Sequence, residues 1–180
     1  MEDEELIREV LNGNTRCYAQ IVERHQQMVA NLCYKLCGNR LDVEEVTQQV
    51  FYSLYTALPR FKFQSKLSTF IYRITVNVVS KQLSATQRII PQSKLEQLPP
   101  QSHEETADRR IEQEERSQML HRCIDQLKQE QRTALTLYTF EEFSYKEIAD
   151  IMQISLAKVE TLIFRARKNL KTLIEKNSKL

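Results

Sequence analysis

"SYKEIADIMQISLAKVETLIFRARKNLK", Ser144 to Lys171, keeps its apolar residues at helical spacing as far as Met152, loses the beat over Gln153-Ile154-Ser155, and regains it from Leu156 onward. Past the break, Arg165, Arg167, Lys168 and Lys171 crowd together. With Ala149 as pivot, Ile148 and Met152 face an interior on one side, Ile154 fills the turn, and Val159 and Leu162 face the interior on the other. A small pivot lets two helices cross closely, and Ser155 is able to accept from the free amides that open the second helix. This is the spacing of a helix-turn-helix. The break holds the second helix clear of the domain body, where its open face fits a DNA major groove. Ala157, Lys158, Glu160, Thr161 and Arg165 lie near its start, within reach of base edges, while Arg167, Lys168 and Lys171 suit phosphates. The turn position that commonly carries Gly holds Gln153, where a positive φ costs on the order of 1 kcal/mol. The plainer reading of the same segment is a helical hairpin with a basic tail.

The 180 residues are enough for one large or two small domains. Only two glycines and four prolines are present, which argues against hairpin-rich β structure and for helices. Four cysteines (Cys17, Cys33, Cys37, Cys123) in a chain of this size make no disulfide framework. The opening "MEDEEL" is acidic where a secretory signal is basic, and no apolar run approaches the roughly 18 residues that span a bilayer. A soluble, reduced, cytoplasmic protein without membrane insertion is expected.

The net charge of +2 conceals how the charges are arranged. Between Val46 and Leu95 there is no Asp or Glu, yet Arg60, Lys62, Lys66, Arg73, Lys81, Arg88 and Lys94 fall there. From Lys158 to Leu180 seven basic residues face two acidic ones, and an acid-rich stretch, Glu104 to Glu115, lies between the two basic regions. Such alternation suits two contacts with a polyanion, although charge runs are more often merely solvated faces.

Two parts separate along the chain, with boundaries at residues 1–85, 86–104 and 105–180. The middle part, including "TQRIIPQSKLEQLPPQSH", is rich in Gln, Ser and Pro and reads as an extended linker. In the first part the spacing predicts a helix from an Asn14 cap to a Gly38 stop, with Tyr18, Ile21, Val22, Val29, Leu32, Cys33 and Leu36 as its apolar positions. A second helix is capped by Asp42 and ended by Pro59, and a third runs from about Ser68 to Leu83. In the second part four helices are expected at roughly 106–127, 129–140, 144–152 and 155–175. The fold class is therefore all-α: two small helical domains on an extended linker, the second containing the helix-turn-helix.

In "LPRFKFQSKLSTFIYRITVNVVSKQLSATQR" aromatic residues alternate with basic ones: Phe61, Lys62, Phe63, Lys66, Phe70, Tyr72, Arg73. Rings beside cations fit single-stranded nucleic acid, because bases stack on them for about 1–3 kcal/mol each. Most of these rings are equally well read as core. The loop from Lys62 to Lys66 and the polar Asn77 are harder to assign to an interior.

Taken together, "DVEEVTQQVFYSLYTALPRF", "FQSKLSTFIYRITVNVVS" and "QEQRTALTLYTFEEFSYKEIADIMQISLAKVETLIFRARKNL" resemble regions 2 and 4 of bacterial RNA polymerase sigma factors of the extracytoplasmic-function class. The resemblance covers nearly the whole chain except the linker. It implies a factor that binds core polymerase, directs it to promoters and promotes DNA opening. Glu45, Gln48 and Gln49 match the surface that docks on the β′ clamp helices. Lys62, Gln64, Lys66, Ser68, Arg73 and Asn77 match positions that read the −10 element and hold a flipped base. The helix from Ser155, with Ala157, Lys158, Glu160, Thr161, Arg165, Arg167 and Lys168, matches the −35 reader. The partners implied are core polymerase (β′ clamp helices and β flap), promoter DNA and an anti-sigma factor. The chain departs from the family at Phe70, where Trp is common, at Lys81, where a carboxylate is common, and at Glu160.

Other classes are weaker. Cys33, Cys37 and His25 share a helix face but lack a fourth metal ligand, and inward Cys is usually a small hydrophobe. No nucleophile pairs with His103 or His121, and no G-x-x-x-x-G-K-[ST] loop is present; neither an enzyme nor a cofactor is expected. A stand-alone dimeric helix-turn-helix regulator has no use for the Glu45–Gln49 surface or the basic-aromatic loop. An RNA-binding adaptor is permitted by that loop and opposed by the helix-turn-helix.

Overall fold

A computed structural model describes residues 2–89 and 118–177. The chain divides into two compact units, Met1–Glu96 and Gln97–Leu180, and every regular element among the described residues is helical. The linker prolines, His103, the acidic run from Glu104 to Glu115 and the first part of the helix expected from residue 106 lie outside the described residues.

Unit 1 opens with a helix absent from the pattern-based assignment, α1 (Asp3–Leu11). Its three acidic first-turn residues suit the positive end of the helix dipole, and Glu2 and Glu5 form a reciprocal capping box. Only Leu6, Ile7 and Val10 carry the apolar period, too few to stand out in the sequence, yet Leu6 and Ile7 are fully buried. Next come α2 (Arg16–Cys37), α3 (Val43–Ala57) and α4 (Leu67–Ile89). The pattern assigns the α2 cap to Asn14; the structure puts Thr15 there instead, without a side-chain capping bond. The Asn14 amide donates to Glu9 Oε2 at 3.2 Å, tying the turn back to α1. Gly38 ends α2 at φ 54°. Asp42 caps α3, its Oδ1 accepting from the amides of Glu44 at 2.8 Å and Glu45 at 3.1 Å. α4 runs to Ile89 rather than Leu83: Gln82 to Ile89 contains no Gly or Pro, so the backbone continues although the apolar period has faded.

α2 is the centre of unit 1, packed against α1, α3 and α4, with α3 also on α4. Ile21, Val29, Leu32, Cys33, Val46, Val50, Leu54, Ile71 and Val79 are at most 1 % exposed, and each large aliphatic among them contributes about 1.5–3 kcal/mol by leaving water. His25 is drawn to α1, 3.3 Å from Asp3, while Cys33 and Cys37 are buried. Among the described residues no three His, Cys, Asp or Glu side chains gather as a metal requires, and no helix is long and apolar enough to cross a membrane.

Unit 2 holds helical residues 118–125 (α5), then α6 (Gln129–Thr139), α7 (Tyr145–Met152) and α8 (Leu156–Asn177). α6 packs on α7 and α8, and α7 on α8. Ile148 and Ile151 are fully buried on α7, whereas Met152 is only half-buried, one position off the expected strip. All of residues 131–137 on α6 are buried. Among them Arg132 is completely enclosed, with Nη1 3.1 Å from Asp125 Oδ1 and with Nε and Nη2 lacking hydrogen-bond partners.

Two predictions concern stability. Gln153 sits at φ 56°, ψ 45°, so Gln153→Gly relieves the left-handed strain and is expected to stabilise unit 2 by about 0.5–1 kcal/mol, read as a higher urea midpoint. Burial pushes the Cys33 thiol from 9.0 up to about 11, offset in part by a hydrogen bond with Thr47. The folded state thus keeps a proton that the unfolded chain loses first. The stability this supplies is complete below pH 9.0 and disappears as pH rises through about 11. Cys33→Val, which has no proton to lose, should show a shallower alkaline fall in urea midpoint than the wild type.

Candidate nucleic-acid interface

The turn between α7 and α8 is built as the break in the sequence suggests. Ser144 and Glu147 form a capping box at the start of α7. At its end, left-handed Gln153 lets the Ile154 amide return to the Ala149 carbonyl at 3.0 Å. Ser155 Oγ then accepts from the Lys158 amide at 3.3 Å and opens α8. Val159, Ile163 and Ala166 are fully buried and Leu162 nearly so, which fixes the rotation of α8 about its axis. Ser155, Ala157, Glu160, Thr161, Arg165 and Lys168 are all exposed. So is Phe164, with 70 % of its surface in water. Sequence reading passed over this ring, although a signal exists: Phe164 falls on the opposite side of the helix from the Val159–Ile163–Ala166 strip. An exposed aromatic ring flanked by cations is a surface that can meet both phosphates and the methyl groups of thymine.

Lys158 and Arg167 occupy the flanks of α8. Lys158 Nζ lies 2.8 Å from Glu130 Oε1 on α6, with both side chains about half in water, so the pair is worth at most about 1 kcal/mol and a phosphate can displace the carboxylate. The Arg167 guanidinium lies 5.0 Å from the centroid of the Tyr138 ring. The Thr161 hydroxyl donates to the Ala157 carbonyl at 2.9 Å, which leaves its methyl and its lone pairs outward.

In unit 1 the loop before α4 is shaped by a cluster of rings in edge-on and tilted contact. Phe61 is buried, 5.0 Å from Phe63 and 4.9 Å from Phe70 between centroids. Phe63 adopts φ 55°. Lys62, Gln64 and Lys66 are exposed around this cluster, and along α4 Ser68 and Arg73 are half-buried and Asn77 exposed. Arg73 Nε is buried without a hydrogen-bond partner. The sequence leaves this region free of acid, but the fold does not: Glu2, Asp3, Glu4 and Glu5 of the α1 terminus line a groove of about 760 Å³ shared with Lys66 and Ser68.

α3 presents a third surface. Glu45, Gln48 and Gln49 are exposed, opposite buried Val46 and Val50. Their amides make only long contacts, Gln48 with Glu44 and Gln49 with Ser53 at 3.5 Å each. Tyr52, 66 % exposed, extends the strip by one turn; it was missed because tyrosine on a helix reads equally well as core. Unit 2 also bears a groove of about 790 Å³ with an apolar floor of Leu120, Ile124, Leu135 and Leu170 and a charged margin of Glu142, Glu147 and Arg167.

Comparison with known proteins bears on these surfaces. Residues 21–89 match the model of "Sigma-70 region 2", and residues 117–170 match "Sigma-70, region 4". The chain is 31 % identical over 175 residues to the RNA polymerase sigma-H factor of Pseudomonas aeruginosa, covering 93 % of this chain and 91 % of that one. It is 31 % identical over 176 residues to the ECF RNA polymerase sigma-E factor of Escherichia coli, covering 93 % and 92 %. In fold it is similar to the sigma factor RpoE, solved with the anti-sigma factor NepR, from Bartonella quintana (TM-score 0.69, 18 % identity, 88 % of this chain and 96 % of that one).

Proposed function

The chain belongs to the extracytoplasmic-function class of the sigma-70 family of RNA polymerase sigma factors, and from that premise we propose which of its residues meet the polymerase and which meet the promoter. As a sigma factor it binds core polymerase, directs it to promoters through −10 and −35 contacts and promotes DNA opening; it is an initiation factor, and the catalytic chemistry is the polymerase's.

Glu45, Gln48 and Gln49 dock on the β′ clamp helices, with Tyr52 extending the contact. Their exposure on one strip of α3, without short hydrogen bonds of their own, supports this role. Lys62, Gln64, Lys66, Ser68, Arg73 and Asn77 read the −10 element as a single strand. The free face of α8 (Ser155, Ala157, Glu160, Thr161, Arg165, Lys168) reads the −35 element, joined by Phe164 and flanked by Lys158 and Arg167. The observation that carries the −35 assignment is the burial of Val159, Ile163 and Ala166, because it leaves α8 one face to offer. The groove beside α5, with its apolar floor, is suited to a helix of the β flap. Residues 1–85 and 105–180 are the two working domains and 86–104 join them, Thr86 to Ile89 continuing α4. Localisation is cytoplasmic, with the polymerase, and an anti-sigma protein is the expected inhibitor. A stand-alone dimeric regulator is not favoured, since the region 2 match over residues 21–89 has no part in such a protein.

Opening DNA costs about 1.4 kcal/mol per stacked step. The chain has no nucleotide-binding loop to drive melting, so it captures bases that have left the stack, each capture recovering part of that cost. Held on one polymerase, the second promoter contact becomes intramolecular and gains effective concentration.

The test is run-off transcription by core polymerase supplemented with the full chain. Glu45→Ala combined with Gln48→Ala should weaken retention of core enzyme in a pull-down while the circular dichroism spectrum stays that of wild type; undiminished retention refutes the docking assignment. Phe164→Ala should lower output from −35-dependent promoters about five- to tenfold and spare a template retaining only the −10 element. Equal losses on both templates would refute the placement of the −35 face.

A further inference from the structure

Phe63 is a bulky residue in the left-handed region, at φ 55°, a conformation that persists only where the surroundings enforce it. Two groups do so. The Phe61 ring meets Phe63 edge-on at 5.0 Å and is itself buried against Phe70 of α4 at 4.9 Å. On another side, the Arg8 guanidinium lies 5.6 Å from the centroid of the Phe63 ring, a cation–π contact. Arg8 stands on a helix held firmly in unit 1: Leu6 and Ile7 are fully buried, and Asp3 lies 3.0 Å from Arg24 and 3.3 Å from His25. Contacts therefore run unbroken from α1 through Arg8, Phe63 and Phe61 to Phe70. α1 lies ahead of residue 21, where the match to region 2 begins.

We propose that Arg8 is a positioning residue for promoter recognition, pinning the Phe63 ring so that the loop from Phe61 to Lys66 keeps the one shape that turns Lys62, Gln64 and Lys66 toward a DNA strand. This rests on the reading of that loop as part of the −10 reader. Without the guanidinium the Phe63 ring loses its cation–π contact with α1, and relaxation of Phe63 to negative φ would re-aim each side chain after it. Arg8 also sets a cation 4.0 Å from Glu4, in a pair that stands mostly in water, so its loss additionally leaves that carboxylate unbalanced near the strand. Lysine keeps the charge but not the flat stacking surface, which separates the two contributions.

The test uses the full chain with core polymerase on a promoter pool randomised across the −10 element, reading the ratio of output from the preferred sequence to output from its single mismatches. Arg8→Ala and Phe63→Gly should each lower this ratio about two- to fivefold. The double variant should do no more than Phe63→Gly alone, because Phe63→Gly already removes the ring that Arg8 touches. Arg8→Lys should fall between wild type and Arg8→Ala. Gln64→Ala and Lys62→Ala are the references. If both leave the ratio unchanged, the loop does not read the −10 element, and the inference falls with that reading. If they lower the ratio while Arg8→Ala does not, the pin alone is refuted. It is equally refuted if the Arg8→Ala and Phe63→Gly losses multiply, or if Arg8→Ala lowers output from every promoter in proportion, as a merely structural role would.

Discussion

Burial of Val159, Ile163 and Ala166 fixes the rotation of α8, and everything unit 2 presents to a partner depends on that constraint. A helix pinned along one strip has only the opposite strip to offer. The same logic governs α3, where buried Val46 and Val50 turn Glu45, Gln48 and Gln49 outward. On α8 the polar contacts of Lys158 with Glu130 and of Thr161 with the Ala157 carbonyl add to a direction the buried strip has already set. Hydrophobic packing sets the direction, and the polar groups keep their hydrogen-bonding capacity for what they meet.

The helix-turn-helix was legible because several signals coincide in one stretch: the missed beat at Gln153-Ile154-Ser155, a serine where a cap is needed, and a basic run after it. Even there the strip was displaced slightly, Ile151 taking the interior place assigned to Met152. α1 was not legible. Nine residues with three inward apolar positions do not rise above background, and the helix exists because α2 supplies the surface that buries Leu6 and Ile7. Asn14 shows the limit at helix ends: the expected cap is claimed by Glu9 of the preceding helix, and the neighbouring Thr15 takes the cap position.

Charge was legible as a total along the chain and misleading as a map in space. The segment from Val46 to Leu95 carries no acid, yet folding sets the carboxylates of α1 beside Lys66 and Ser68. Some of that negative charge is occupied internally, Asp3 by Arg24 and His25. The loop thus lies in a mixed field rather than a uniformly positive one, which tempers unspecific attraction to any polyanion. Phe164 illustrates the converse. Its position against the helical strip was visible, but only the burial of its neighbours leaves it standing out, 70 % exposed among the described residues.

The enclosed Arg132 bears on how such chains can be recombined. Among the described residues its guanidinium pairs with Asp125 at 3.1 Å, and Nε and Nη2 have no hydrogen-bond partner. Stripping that carboxylate away strands a cation in apolar surroundings, a change that costs several kcal/mol, whereas replacing both members together with well-packed aliphatic residues is often neutral. A hybrid that grafts α6 through α8 onto another factor while leaving α5 behind would sever the pair. The seam of any viable chimera belongs ahead of α5, so that acid and base travel as a single inherited unit.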